Sequence, residues 1–132
     1  FCLTVDLPEG RSSSPEKEIQ MTHIIRAADR PTSKSRTIKF EGEAYGTPIS
    51  FFAVDNEPGQ GPVLHTHPYA ETWVVRRGRA AVVIGDDRFE VGPGDIAVAP
   101  AGVPHKFTNL GPERLDIVCI HAAGAIEQVD LE

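Results

Sequence analysis

Three histidines and one glutamate in the middle of the chain, His65, His67, Glu71 and His105, have the side chains and spacing to hold a metal ion. His65 and His67 lie two apart, so a β-strand projects both from one face, whereas a helix would separate them by about 200°. The pair predicts a strand. Glu71 shares their parity, but six residues of unbroken strand carry it roughly 20 Å from His65, too far to share an ion. The chain must bend, and Pro68-Tyr69-Ala70 is the natural place, because proline fixes φ and cannot donate to a ladder. His105 must then arrive from a sequence-distant strand, which requires a closed or strongly curved sheet. Three neutral imidazoles and one carboxylate leave a divalent ion with a net charge near +1. An octahedral ion would keep two positions open for water, dioxygen or a bidentate substrate, whereas tetrahedral zinc would be closed by the same four ligands. These donors suit Fe, Mn, Ni, Co, Cu and Zn alike, so the expected cofactor is one divalent transition metal ion of unspecified identity.

The elements that must position these residues read as short strands. Glycines at 59, 61, 78, 85, 92, 94, 102 and 111 punctuate segments rich in Val, Ile, Ala and Phe, the pattern of many strands joined by tight turns. The expected strands are 49–54, 63–67, 71–77, 80–84, 88–91, 95–99, 105–109 and 115–121, with a hairpin turn at Gly85-Asp86-Asp87. Prolines at 62, 68, 93, 100, 104 and 112 would interrupt any long helix here. The body is expected to be all-β.

At 132 residues the chain can form one core but not two. No apolar run is long enough to cross a membrane as a helix, and a net charge of −6 argues against a nucleic-acid or anionic-membrane surface. The densest basic stretch, 34–39, reads as a solvated edge strand. Residues 1–20 are polar, lack the pattern of a signal peptide, and are expected to be an added extension or flexible arm before a single domain, 21–132, that begins at Met21. The only cysteines, Cys2 and Cys119, suggest no disulfide framework, which points to a reducing, cytoplasmic setting. Cys119 reads as a small buried hydrophobe and His23 as a solvent-exposed histidine.

Two motifs carry a family resemblance. The first is Gly59, five residues, His65-Thr66-His67, three residues, Glu71, six residues, Gly78; the second is Gly94, five residues, Pro100-Ala101-Gly102, two residues, His105, three residues, Asn109. Both resemble the signature motifs of the cupin superfamily, over about residues 51–121. The resemblance implies a double-stranded β-helix or jelly-roll (cupin) barrel, with His65, His67, Glu71 and His105 as the metal ligands. It also implies a homodimer in which an amino-terminal strand, 37–40 or 50–54, pairs with the partner's sheet.

Strand parity then sets the surroundings of the ion. Trp73 and Val75 follow Glu71 to the inner face, Phe107 and Asn109 follow His105, and Ile117, Cys119 and His121 point inward if Asp116 faces water. The expected substrate cavity is apolar and partly aromatic, lined by Tyr69, Trp73, Phe107, Cys119 and His121, with Tyr69 at its mouth and His121 the candidate acid or base. Arg76 is expected to face out. The leading reading is a metalloenzyme acting on a small organic molecule. Dioxygenase-like chemistry is favoured, because the cavity has few general bases, with isomerase or cyclase chemistry as the acid–base variant. The alternative from another class is a non-catalytic binding or sensor module for a small ligand; a third reading is a structural zinc protein.

Overall fold

The computed structural model describes residues 22–30 and 34–132. The chain divides between Arg30 and Pro31. On the amino-terminal side the described residues carry one short 3-10 turn, Ala27–Asp29, with His23 exposed. The expected boundary between residues 20 and 21 lies outside the described residues.

Among the described residues, the larger side is built from ten strands: β1 Ile38–Glu41, β2 Ser50–Asn56, β3 His65–Thr66, β4 Glu71–Arg77, β5 Ala80–Ile84, β6 Asp87–Val91, β7 Ile96–Ala99, β8 His105–Asn109, β9 Leu115–His121 and β10 Val129–Asp130. They form two antiparallel five-stranded sheets, in the orders β1-β2-β9-β4-β7 and β10-β3-β8-β5-β6. This is the all-β jelly-roll arrangement expected from the sequence. Burial alternates along β4, β8 and β9, as it does when one face of a strand packs on a core. The inner faces enclose Trp73, Val75, Val82, Phe107, Leu115 and Ile117. Arg76 is exposed, while Asn109, Cys119 and His121 are buried.

Strands 4, 5, 8 and 9 have the expected bounds, but β3 is shorter. Only His65 and Thr66 keep strand geometry, because the chain is already leaving the ladder at His67 to make the bend before Glu71. The β5–β6 turn is tighter than expected. Asp87 pairs with Ile84, leaving Gly85-Asp86 as a two-residue turn with Gly85 at φ +59°. The segment expected to exchange with a partner is paired within the chain: β1 lies antiparallel on β2, and β9 occupies the other edge of β2. β2 therefore has no free edge, and β1 forms the outer edge of its sheet.

The motif residues that are not ligands hold the strands together. Gly78 sits at φ +82°, and a Cβ there would lie 2.6 Å from the Arg114 carbonyl oxygen. Only glycine lets the β4–β5 turn pass this close to the start of β9. Asn109 accepts a hydrogen bond from the Gly111 amide at 2.7 Å and donates to the Glu113 carbonyl at 2.9 Å, so it staples the turn between β8 and β9. The Gly102 amide donates to the His67 carbonyl at 2.8 Å, which ties the Pro100-Ala101-Gly102 turn to the ligand segment.

Candidate metal centre

Each sheet contributes a cross-strand pair to one end of the barrel. His65 on β3 lies opposite His105 on β8, and Glu71 on β4 lies opposite His121 on β9. His67 stands on the bend between the two. The side chains of His65, His67, Glu71 and His105 are all buried, and their potential ligand atoms lie within 4.8 Å of one another. An ion with bonds of about 2.1 Å spans donors up to about 4.2 Å apart, so inward adjustments of a few tenths of an ångström complete the set.

The histidines are oriented by backbone carbonyls. His65 Nδ1–H donates to the Val63 carbonyl at 2.7 Å, His67 Nδ1–H to the Glu127 carbonyl at 2.6 Å, and His105 Nδ1–H to the Val103 carbonyl at 2.9 Å. A carbonyl can only accept, so Nδ1 carries the proton in each ring, and Nε2 is the nitrogen left to bind a metal when the ring is neutral. The Nε2 atoms of His67 and His105 each lie 2.9 Å from Glu71 Oε1. His105 makes a hydrogen bond there, whereas His67 Nε2 is close but off line, and it is a buried nitrogen without a hydrogen-bond partner. A buried polar atom left without a partner is costly, and coordination at this position would satisfy it. These residues fit a divalent ion.

Glu71 is held from its other side. Its Oε2 accepts the indole Nε1–H of Trp73 at 2.6 Å, which leaves Oε1 facing the histidines. Burial alone would raise the pKa of Glu71. The hydrogen bond from His105 and the close imidazoles of His121 and His67 outweigh burial and hold the carboxyl well below the usual carboxylate range. The pKa of His65 is lowered, chiefly by burial. For His67 burial pulls the same way, but the contacts with Glu71 and the Glu127 carbonyl prevail and raise it.

His121 is 1% exposed and lies beside this set, its Nε2 3.4 Å from Glu71 Oε2 and without a hydrogen-bond partner. Its Nδ1 meets the Tyr69 hydroxyl at 2.7 Å, and the same hydroxyl accepts from the Glu127 amide at 3.2 Å. Burial raises the pKa of Tyr69 and pushes the Cys119 thiol well up.

A cavity of about 310 Å³ opens beside the centre. Its walls include Phe52, Val54, Phe107 and Cys119, with His65, Glu71 and His121 at the polar end. Three of the expected cavity residues, Phe107, Cys119 and His121, line it. Trp73 and Tyr69 do not. Trp73 is fully buried in the core, edge-on to His105 and Phe107, because its indole is drawn to Glu71. Tyr69 stacks on His67 with ring centroids 5.0 Å apart and turns its hydroxyl to His121 and Glu127. Sequence reasoning missed Phe52, Val54 and Gln128 in the wall, and the carbonyls of Val63, Val103 and Glu127 that orient the histidines. Parity along β2 from Ser50 could have found the first two. The carbonyls have no side-chain signature.

Comparison with known proteins follows the same lines. A family model described as Cupin domain matches residues 52–121. An uncharacterized protein of Methanocaldococcus jannaschii is 34% identical over 62 residues, covering 46% of this chain and 50% of that protein. The chain thus spans about half the length of that curated relative. Among solved structures, an oxalate decarboxylase superposes with a TM-score of 0.72 at 21% identity, covering 91% of this chain and 35% of its own. A recombinant oxalate oxidase in complex with glycolate gives a TM-score of 0.64 at 21% identity, covering 72% of this chain and 54% of its own. At these identities the structural likeness is one of fold.

Proposed function

The chain belongs to the cupin family, and from that premise we propose that it is a metal-dependent enzyme acting on a small organic molecule that meets the ion through oxygen, with oxygen-dependent chemistry favoured over acid–base chemistry. The observation that carries this reading is the placement of His65 and Glu71 in the wall of an otherwise largely apolar cavity, so that the ligand set borders a space of about 310 Å³. That volume is at the small end of the range for ligand sites.

A divalent ion held by the three Nε2 atoms and Glu71 Oε1 would act as a Lewis acid toward a substrate oxygen and, if redox-active, would activate dioxygen. The chain's own residues bind and orient the substrate. Phe52, Val54 and Phe107 would pack on its apolar body and exclude water, which strengthens every charge interaction at the polar end. His121 is the cavity-lining side chain that can hold or move a proton, at Nε2, with the ring fixed through Nδ1 by Tyr69. The oxalate oxidase of similar fold is in complex with glycolate, a small hydroxycarboxylate. A substrate with an oxygen donor pair at one end and an apolar body matches the cavity here.

The test is anaerobic reconstitution of the purified protein with Fe(II), Mn(II), Co(II), Ni(II), Cu(II) or Zn(II), followed by oxygen-uptake measurements with a panel of small carboxylates, hydroxy acids and enolisable diketones. Metal-dependent uptake that disappears in His105→Ala supports the proposal. Tight ligand binding without turnover for any metal would favour the non-catalytic binding module, and failure of every metal to bind would remove the reading altogether.

A further inference from the structure

Among the described residues, three buried side-chain atoms lack a hydrogen-bond partner: His67 Nε2, His121 Nε2 and Asn56 Oδ1. The first belongs to the ligand set, whereas the other two sit on residues that line the cavity. β2 sets their separation. Its alternate residues Phe52, Val54 and Asn56 share the cavity wall. The Phe52 ring meets His121 edge-on with centroids 5.7 Å apart, and Asn56 lies four residues further on, roughly 13 Å along the strand. An apolar stretch thus runs between two polar groups, and leaving either of them buried and unpaired is costly.

Neighbouring groups fix the hydrogen-bonding sense of both. The Tyr69 hydroxyl has one proton to give, to His121 Nδ1 at 2.7 Å or to the Glu127 carbonyl at 3.3 Å. That carbonyl already accepts His67 Nδ1–H at 2.6 Å, so the shorter bond to His121 takes the hydroxyl proton. A neutral His121 then carries its own proton on Nε2, the tautomer opposite to that of the three ligand histidines. Nε2–H is a donor, 3.4 Å from Glu71 Oε2 but not aligned with it. On Asn56, Nδ2 donates to the Gln60 carbonyl at 3.3 Å, which leaves Oδ1 as a free acceptor.

We propose that the cavity selects an elongated carboxylate whose head accepts a hydrogen bond from His121 Nε2–H, whose apolar body packs on Phe52, Val54 and Phe107, and whose far end carries a hydroxyl that donates to Asn56 Oδ1. The proposal rests on the reading of this cavity as the substrate site, and it names the class of substrate. His121 is then a specificity-determining residue that recognises charge at the metal end. Tyr69 is a positioning residue, because it keeps the His121 proton on the nitrogen that serves the ligand. A carboxamide of the same shape would lose the charge-assisted bond, which is the stronger kind. A ligand without the far hydroxyl would leave Asn56 Oδ1 buried and unpaired.

Calorimetric titration of the Mn(II)-loaded protein with para-hydroxyphenylpropanoate tests the proposal, alongside its carboxamide, which lacks the charge, and phenylpropanoate, which lacks the hydroxyl. The wild-type protein is expected to prefer the hydroxylated acid to both. His121→Phe should weaken binding of the acid by about 10–100-fold with metal content unchanged, and His121→Gln, which restores a donor, should recover most of the loss. Asn56→Leu should remove only the preference for the hydroxyl, about 3–10-fold. Nitrogen-resolved NMR of the metal-free wild-type protein reads the tautomer without any variant or ligand, and the proton is expected on His121 Nε2. These preferences in a protein that takes up no oxygen would support the proposal while removing the enzyme reading. A neutral His121 with its proton on Nδ1 would overturn it. So would a wild-type protein that binds the acid no better than its carboxamide, or a His121→Phe protein that keeps both its metal and its affinity for the acid.

Discussion

Trp73→Phe is the substitution that most sharply separates the centre from the core around it. The phenyl ring keeps an aromatic side chain in a fully buried position, edge-on to Phe107, but removes the Nε1–H that Glu71 Oε2 accepts at 2.6 Å. A hydrogen bond to a buried carboxylate contributes about 1.5–3 kcal/mol. Shrinking the indole leaves a void of about 40 Å³, which at ~24 cal/mol per Å³ costs about 1 kcal/mol more. The expected loss is therefore about 2.5–4 kcal/mol, measured by denaturant unfolding of the chelated protein. Glu71 also loses the donor that turns its Oε1 toward the histidines, and metal affinity should fall about 10–100-fold, as it does when the partner of a metal ligand is removed. Val82→Ala is the control, since Val82 is buried in the same core and has no polar group to offer Glu71. It should lose stability while leaving metal affinity unchanged. If Trp73→Phe lost less than about 1 kcal/mol and bound metal like the wild type, the indole would not be what positions Glu71.

Other consequences are measurable in the metal-free protein. Because the fold lowers the pKa of Glu71, its contribution to stability is present above its ordinary value of 4.5 and is lost as pH falls through the folded value. Glu71→Gln should accordingly flatten the acid limb of a plot of unfolding midpoint against pH. His67 and His65 oppose each other: the raised pKa of His67 gives stability below 6.5 that fades as pH rises through the folded value, whereas the lowered pKa of His65 gives stability that is lost as pH falls below 6.5. Each histidine replaced in turn by alanine should tilt the neutral limb in opposite directions. Gly78→Ala must hold a left-handed backbone against the Arg114 carbonyl and should destabilise the fold by more than about 1–2 kcal/mol, read from the same unfolding curves. Tyr69→Phe takes the partner from His121 Nδ1 and an acceptor from the Glu127 amide; hydrogen exchange at Glu127 should accelerate, and stability should fall by about 1–3 kcal/mol.

The ligand geometry was legible because spacing and strand parity act on side chains that are rare and chemically distinct. His65 and His67 on one face, the bend at Pro68, and the return of His105 on a distant strand follow from a two-residue period and a limited reach. Parity also put Val75, Ile117 and Cys119 inside. It could not distinguish two kinds of inside. Trp73 and Phe107 share the inner face, yet one is held in the core by a hydrogen bond to Glu71 and the other borders the cavity. Tyr69 turned away from the cavity because His121 and Glu127 offer its hydroxyl partners that lie 52 and 58 residues further along the chain. β10 was missed because a two-residue strand of exposed side chains leaves no pattern; it exists through pairing with β3.

The four side chains are arranged to hold a single ion through three imidazoles and one carboxylate. X-ray absorption spectroscopy of protein reconstituted with one equivalent of a divalent transition metal tests it directly, with metal content measured on the same sample. The expected spectrum is fitted by three imidazole nitrogens and an oxygen shell at about 2.0–2.2 Å, and His65→Ala should lose one imidazole from the fit or lose the metal. A stoichiometric site fitted by fewer than three imidazoles, or a His65→Ala protein with unchanged metal content and an unchanged spectrum, would contradict this ligand set.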